Sequence, residues 1–415
     1  PPPPGRKDND MAEDFPRKMN DITNEWLSKV LGVTVMGYEA KYIEGGVLSD
    51  AFKLHLMTYA DDAPSSVVIK IASQHKEMRD LALRGNSYNK ELNFFKNLAK
   101  DVPISTPKVY GCFADGSEGS EYFTIVMEDL TAHSKSFDQV DDPPDEAFSR
   151  KLALEAAKLH ARFWESEVIK LPWIGRQDNL YVFSLDSMTK SGKTSWAPFR
   201  DLYKQTYGRD LLDREADQPV EELTELLCGP KSVGIIEKIY DILSSRPKTL
   251  LHGDMRGDNV FRTDPATGKS VEDSTITFID WQLIHAGPPG PEFMVAWMFS
   301  LEPADRRKDK DMLKQYHDKL VELNPTTAAY TYDMLLEDYS LSCCFGWTTL
   351  ITVALGSLGT LPIDDNPEAA RMKQLWSSIF SRSKITLLDL DCLSLVKTLA
   401  ADVPDDPPAE PPAAE

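Results

Sequence analysis

The order of apolar and polar positions divides the chain into a stretch with a two-residue period and a longer one with a helical period. From Asp21, "DITNEWLSKVLG" predicts a capped amphipathic helix closed by Gly32. Short runs follow that read as strands: "KYIEGG", then "AFKLHLMTY" after the turn "VLSD", then "SVVIKIA" after the turn "DDAP". A helix is predicted around "SYNKELNFFKNLAK", where Leu92, Phe95 and Leu98 share one face. Two more strands are predicted at "KVYGCFAD" and "EYFTIVMEDL". Beyond Leu130 the period becomes mostly helical, beginning with "EAFSRKLALEAAKLHARFWES". The pattern thus predicts an α+β protein, with a β-rich lobe over residues 21–130 and a larger, mainly helical lobe over residues 131–400.

The two ends fall outside this pattern. Residues 1–20 are Pro-rich and residues 401–415 are acidic and Pro-rich; both are expected to be disordered, because they bury too little apolar surface to offset chain entropy. One internal stretch, Tyr339 to Ile363, carries no charge and is long enough to cross a bilayer. Its Ser, Thr, Gly and Pro interruptions and its lack of a basic flank predict a buried helix instead, so no membrane span is expected. The acidic run Asp141, Asp142, Asp145 and Glu146 reads as a solvated loop.

Composition narrows the function classes. A chain of 415 residues suggests about two or three domains or lobes. With a formal net charge of −20 it is no general nucleic-acid binder, since that mode needs clustered cations to displace counterions. Five cysteines without metal-ligand spacing predict neither a disulfide framework nor a zinc site, and fit the cytoplasm or another reducing compartment. The opening "PPPPGRKDND" lacks the apolar core of a secretory signal. It also lacks an initiator Met, so a processed or incompletely read product is expected, with Met11 as another start and organelle targeting left open.

The densest chemistry lies in "LHGDMRGDNVF", Leu251 to Phe261, where a polar turn sits between two apolar runs. Its Asp254 precedes Asn259 by five positions, and "TITFIDW" downstream is an apolar strand ending at Asp280. The intervening "RTDPATGKSVEDS" has the turn residues of a hairpin, which would bring Asn259 and Asp280 together. An amide oxygen and a carboxylate at strand ends suit Mg²⁺, a hard cation held by few protein oxygens plus substrate phosphates. Asp254 then accepts a proton from an attacking hydroxyl, which is the division of labour of phosphoryl transfer. Arg256 could offset charge on the transferring group, or simply face solvent.

Lys70 interrupts the apolar run "VVIKIA", where an unpaired lysine is costly to bury, and Glu91 on the following helix could pair with it. Together they would place a cation on nucleotide phosphates; the alternative is an edge-strand lysine facing water. Gly45 and Gly46 in "EGGVLSDAF" would let backbone amides approach those phosphates. Two fragments imitate a P-loop, "TDPATGKS" and "SMTKSGKT", but each lacks the first Gly of that motif; both read as exposed loops.

The paired motifs "HGDMRGDN" and "FIDW", with "VVIKIA", "KELNFFKNL", "VMEDL" and "LALEAAKLHARFW", resemble the aminoglycoside phosphotransferase and choline kinase-like superfamily. The branch they are most similar to holds the ecdysteroid kinase-like proteins and the acyl-CoA dehydrogenase-associated phosphotransferases. The resemblance runs from about Asp21 to about Leu399 and implies a bilobal protein-kinase-like fold with ATP between the lobes. By that resemblance Asp254 is the catalytic base, Asn259 and Asp280 are the Mg²⁺ ligands, Lys70 contacts phosphate and Glu91 is its partner. It also implies that "MEDL", including Glu128 and Leu130, meets adenine. Relatives carry an Asp where this chain has Glu292, and the residues after Asp280 fit choline kinases poorly. The expected activity is an ATP- and Mg²⁺-dependent small-molecule kinase acting on a hydroxyl substrate. Its competitor is a pseudokinase that serves as a subunit of a protein complex.

Overall fold

Alternation along "SVVIKIA" sends Val67, Ile69 and Ile71 to one side of a strand and Lys70 to the other, and the fold is built around that strand. The structure, a computed structural model, describes residues 15–43, 46, 48–116, 121–176, 185–263, 271, 273–361 and 366–405. It divides into two units. The first comprises residues 1–135, 171–175 and 261–284; the second comprises 136–170, 176–260 and 285–415.

The first unit opens with helix α1 (Asn24–Leu31), capped by Thr23, whose side chain accepts from the Trp26 N–H. Gly32 ends it at φ 72°, a left-handed conformation that suits glycine. Five strands follow: β1 (Gly37–Ile43), β2 (Ser49–Met57), β3 (Ser66–Ala72), β4 (Val109–Ala114) and β5 (Phe123–Glu128). They form one sheet in the order β1-β2-β3-β5-β4, and every neighbouring pair is antiparallel. Val67, Ile69 and Ile71 pack with Trp26, Leu27, Leu54 and Val126 in the core on one face. Between β3 and β4 lie helices α2 (Lys76–Arg84) and α3 (Ser87–Asn93), the second running into a π turn, Phe94–Leu98. The unit also holds a small sheet in which strand Val260–Thr263 lies between Ser134–Lys135 and Ile276–Phe278. The hairpin read from the sequence is therefore present, although residues 264–270 and 272 of its connection lie outside the described residues.

The N-terminal expectation needs correction from Phe15 onward. Phe15 is buried and stacks on Phe113, and the Pro16 carbonyl accepts from the buried Thr124 hydroxyl. At the other end Val403 is buried too, so the expected disordered tail does not begin at residue 401.

The second unit is mainly helical. Helix Glu146–Phe163 starts at Asp145, whose carboxylate accepts from the Phe148 N–H at 2.7 Å; one member of the acidic run is thus a helix cap. The fragment "SMTKSGKT" lies inside helix Leu185–Tyr207 and is no exposed loop, which also rules out a phosphate-binding loop there. The uncharged stretch falls in helix Tyr332–Gly359. Among the described residues this is the one helix long and apolar enough to cross a membrane, and two thirds of its most apolar window is buried inside the protein. Trp347, one of its residues, is fully buried and donates its indole N–H to Thr224 at 2.8 Å.

Candidate active site

In the first unit, Lys70 sits on the central strand of the sheet and is only 8% exposed, which excludes an edge lysine facing water. Its ammonium lies 3.0 Å from Glu91 Oε1, 2.8 Å from Glu91 Oε2 and 2.5 Å from Asp280 Oδ1. Glu91, on α3, is 1% exposed. Burial alone would lower the Lys70 pKa, but the Asp280 and Glu91 carboxylates outweigh it and hold the ammonium above the usual lysine range. Burial raises Glu91, against the pull of Lys70. The three residues that sequence reasoning assigned to phosphate and metal in this unit are thus brought together as one charged cluster.

Asp280 adopts the left-handed region, φ 64° and ψ 65°, where a non-glycine residue is strained and aspartate is among the better tolerated. What holds it there was not legible in the sequence. Trp281, fully buried, stacks on Phe94 with ring centroids 3.8 Å apart and planes 10° apart. The Trp281 backbone also donates to Glu91. Phe94 opens the π turn that follows α3, a local distortion that recurs at functional sites. The helix carrying Glu91 and the strand end carrying Asp280 are therefore joined by a ring stack as well as through Lys70.

The same helix reaches the glycine turn. The Tyr88 hydroxyl donates to the Leu48 carbonyl and accepts from the Ser73 N–H at 3.2 Å. A Cβ on Gly46 would collide with the Ser49 carbonyl oxygen, so only glycine fits this turn. Gly45 lies outside the described residues.

Glu128 closes β5, and Leu130 opens a short turn, Leu130–Ala132. Both line a cavity of about 320 Å³ shared with Ser105, Thr106, Thr263 and Thr277. The Glu128 N–H donates to the Lys108 carbonyl at 2.8 Å, and the Leu130 carbonyl accepts from His133 N–H at 3.2 Å. Those two backbone groups are already engaged within the unit. Asp129, between them, went unnoticed in the sequence: its buried carboxylate accepts from Ser66 at 2.6 Å and meets Lys53 at 2.7 Å. Burial would raise its pKa, but hydrogen bonds from Lys53, Ser66 and Thr131 prevail and hold it down to about 2. Its stabilising contribution is therefore complete above the unfolded value near ~4 and is lost as pH falls from there toward about 2. The melting-temperature gap between wild type and Asp129→Asn is expected to shrink across that window; a gap independent of pH would contradict the assignment.

In the second unit, the catalytic-loop candidate follows the buried strand Thr249–Leu251. His252 is fully buried and Gly253 has φ 87°. Glu292, 1% exposed, accepts from the His252 N–H at 2.7 Å and the Gly253 N–H at 3.0 Å. Glu292 thus anchors the loop by two buried backbone hydrogen bonds. Burial would raise Glu292, but His160, with its Nε2 3.7 Å away, and the neighbouring His252 and His285 keep the carboxylate below its usual range. Here too a π turn follows directly, Met294–Met298.

His252 Nδ1 accepts from the Asp254 N–H at 3.2 Å, so that ring nitrogen is engaged with the loop backbone. Arg256 Nε lies 3.4 Å from Asp254 Oδ1 and 3.8 Å from Asp258 Oδ2, and Asp258 accepts from Gln139 at 3.0 Å. The buried Asn259 donates its amide N–H to the Asp254 carbonyl at 3.0 Å, which turns its amide oxygen to the other side. An amide oxygen, like the carboxylate of Asp280 in the first unit, is a hard donor of the kind that Mg²⁺ takes. Among the described residues no group of three or more His, Cys, Asp or Glu could hold a metal ion.

Known proteins were compared with this chain. A family model described as "Uncharacterized oxidoreductase dhs-27" matches residues 184–385, just under half of the chain. No curated protein matches. Among solved structures, a choline kinase from Cryptosporidium parvum Iowa II is similar at 14% identity, covering 87% of this chain and 93% of that one, with a TM-score of 0.41. A Plasmodium vivax ethanolamine kinase is similar at 14% identity, covering 82% of each chain, with a TM-score of 0.38.

Proposed function

We propose that this protein is an ATP- and Mg²⁺-dependent kinase that transfers a phosphoryl group to a hydroxyl of a small molecule. One observation carries the reading: a lysine on the central strand of an antiparallel sheet is kept charged and buried by a helix carboxylate and a strand-end carboxylate. Packing has no use for such a cluster, because apolar residues of the same volume are usually as stable or more so. Phosphoryl transfer does have a use for it, since the chemistry is mostly positioning and charge neutralisation around phosphates.

In this reading Lys70 binds nucleotide phosphate, with Glu91 fixing its direction. Asp254 orients the acceptor hydroxyl and takes its proton, with Arg256 Nε 3.4 Å from its carboxylate. Asn259 and Asp280 would hold Mg²⁺, which when bound neutralises charge on the phosphate oxygens. Glu292 keeps the loop backbone in place through its two hydrogen bonds.

The word oxidoreductase belongs to the family model. A dinucleotide site of the doubly wound kind needs parallel strands and a glycine-rich turn into a crossover helix. The five-stranded sheet here is antiparallel between all its neighbours. The deciding experiment incubates the full chain with ATP, Mg²⁺ and a small-molecule extract, and looks by mass spectrometry for products heavier by one phosphate. Thermal melts with and without ATP and Mg²⁺ run beside it, since a ligand that binds only the folded state raises apparent stability. Stabilisation without any product favours the pseudokinase; neither stabilisation nor product sinks both readings.

A further inference from the structure

Six of the nine residues that line the cavity of about 320 Å³ in the first unit are serine or threonine. Their order follows from the small sheet. On one side of strand Val260–Thr263, Thr263 is paired with Ser134; on the other, its N–H donates to the Thr275 carbonyl at 3.0 Å. Thr277 stands two positions beyond Thr275, and in an extended chain residues at that interval share a face. Its hydroxyl lies 3.0 Å from that of Ser105, and Thr106 follows. One row of hydroxyl groups thus crosses the small sheet and continues onto the segment before β4.

Two features separate this row from an ordinary wet surface. Thr277 and Ser134 are only 7% and 8% exposed, so both are built into the fold and still line the cavity. Among the described residues the Ser134 hydroxyl has no hydrogen-bond partner, and neither has that of Thr106. A hydroxyl withdrawn from bulk water without a partner costs free energy, which a ligand carrying polar groups can recover.

The remaining lining residues decide the class of ligand. Glu128 Oε2 accepts from the Lys108 N–H at 3.1 Å, and its Oε1 lies 4.0 Å from His133 Nε2. Among the described residues no lysine or arginine lines the cavity, so a phosphate or carboxylate would meet Glu128 with no strong cation to offset it. A cation would find a single carboxylate, already shared with a backbone N–H. Hydroxyls both donate and accept, so a row of them complements another row of the same kind. Leu130 and the threonine methyls offer apolar contact to the C–H face of a ring. A purine asks for the opposite balance, apolar walls with few polar groups.

We propose that this cavity is a binding site for a neutral polyhydroxylated small molecule, a sugar or cyclic polyol of a single ring. Its volume stands at the lower end of the range of ligand sites, about 300–1,000 Å³, which suits one ring. Affinity is in the millimolar range, because each neutral hydrogen bond made in exchange for water gains little. The site belongs to the first unit alone and is independent of the kinase reading.

The full chain, isotopically labelled at its threonine methyls, is titrated with myo-inositol and with D-glucose and followed by methyl NMR. Saturable shifts with at least one probe are expected, confined to Thr106, Thr263, Thr275 and Thr277. Ser134→Ala and Thr106→Val each remove a hydroxyl that no described residue uses, and each is expected to weaken binding about three- to tenfold. Inorganic phosphate and tetramethylammonium, titrated in the same way, are expected to leave these methyls unmoved. Shifts that never saturate, or that spread evenly over the threonines, would reflect the general action of polyols on protein surfaces and overturn the proposal. No shift with either polyol, binding indifferent to both variants, or tighter binding of a charged probe overturns it as well. Two variants on separate segments keep the test decisive should one of them fail to fold.

Discussion

Asp254→Asn is expected to lower phosphoryl transfer by about a hundredfold to ten-thousandfold, the usual contribution of a general base, while ATP and Mg²⁺ still raise the melting temperature. The variant keeps the size and polarity of the side chain and removes only its ability to accept a proton as a carboxylate. The neighbouring acid supplies the control. Asp258 accepts from Gln139 and lies farther from Arg256 than Asp254 does, so Asp258→Asn is expected to stay within a few-fold of wild type. Steady-state assays of both variants on the same substrate check the assignment. Equal losses in the two would mean that the loop as a whole, and not one carboxylate, had been damaged.

The second large effect concerns Lys70. Lys70→Ala leaves Glu91 buried beside Asp280 with no cation between them, and breaking a buried pair from one side costs on the order of 3–5 kcal/mol. A fall of several degrees in melting temperature is expected, together with loss of stabilisation by ATP. Lys70→Met combined with Glu91→Leu removes the burden of the uncompensated carboxylate and is expected to regain much of the thermal stability without regaining turnover. Calorimetry and the activity assay read the two consequences separately. A double variant less stable than Lys70→Ala would show that the pair stabilises the fold, and would remove the argument that the cluster exists for chemistry.

Local order carried the first layer of this assignment. A lysine inside "VVIKIA" advertises its partner because burial without one is costly, and Glu91 lies in the next strongly periodic helix. The interval from Asp254 to Asn259 and the apolar strand before Asp280 were equally readable, as was the change from a two-residue to a helical period. The sequence reading missed α2, whose apolar positions are sparse, and it treated Phe15 as part of a disordered end. The supporting contacts were out of reach for another reason. Glu292 meets a backbone 39 and 40 positions away, Asp129 meets a serine 63 away, and Trp281 meets Phe94 across nearly the whole first unit. Such pairs leave no periodicity behind them; only the fold puts them side by side. The one visible hint was the exchange of Asp for Glu at position 292, which read as a weakness and proved to be an anchor.

The stack of Phe94 on Trp281 also bears on how the protein can be governed. Swinging α3 outward, so as to part Glu91 from Lys70, would unstack two large buried rings and expose both to water. That forfeits about 0.5–1.5 kcal/mol for the ring geometry and roughly 1.5–3 kcal/mol for each exposed side chain. A helix riveted to the strand end in this way makes a poor toggle. The charged cluster is built to stand assembled, so in the proposed kinase reading turnover follows the supply of acceptor and nucleotide and not a movement of this helix.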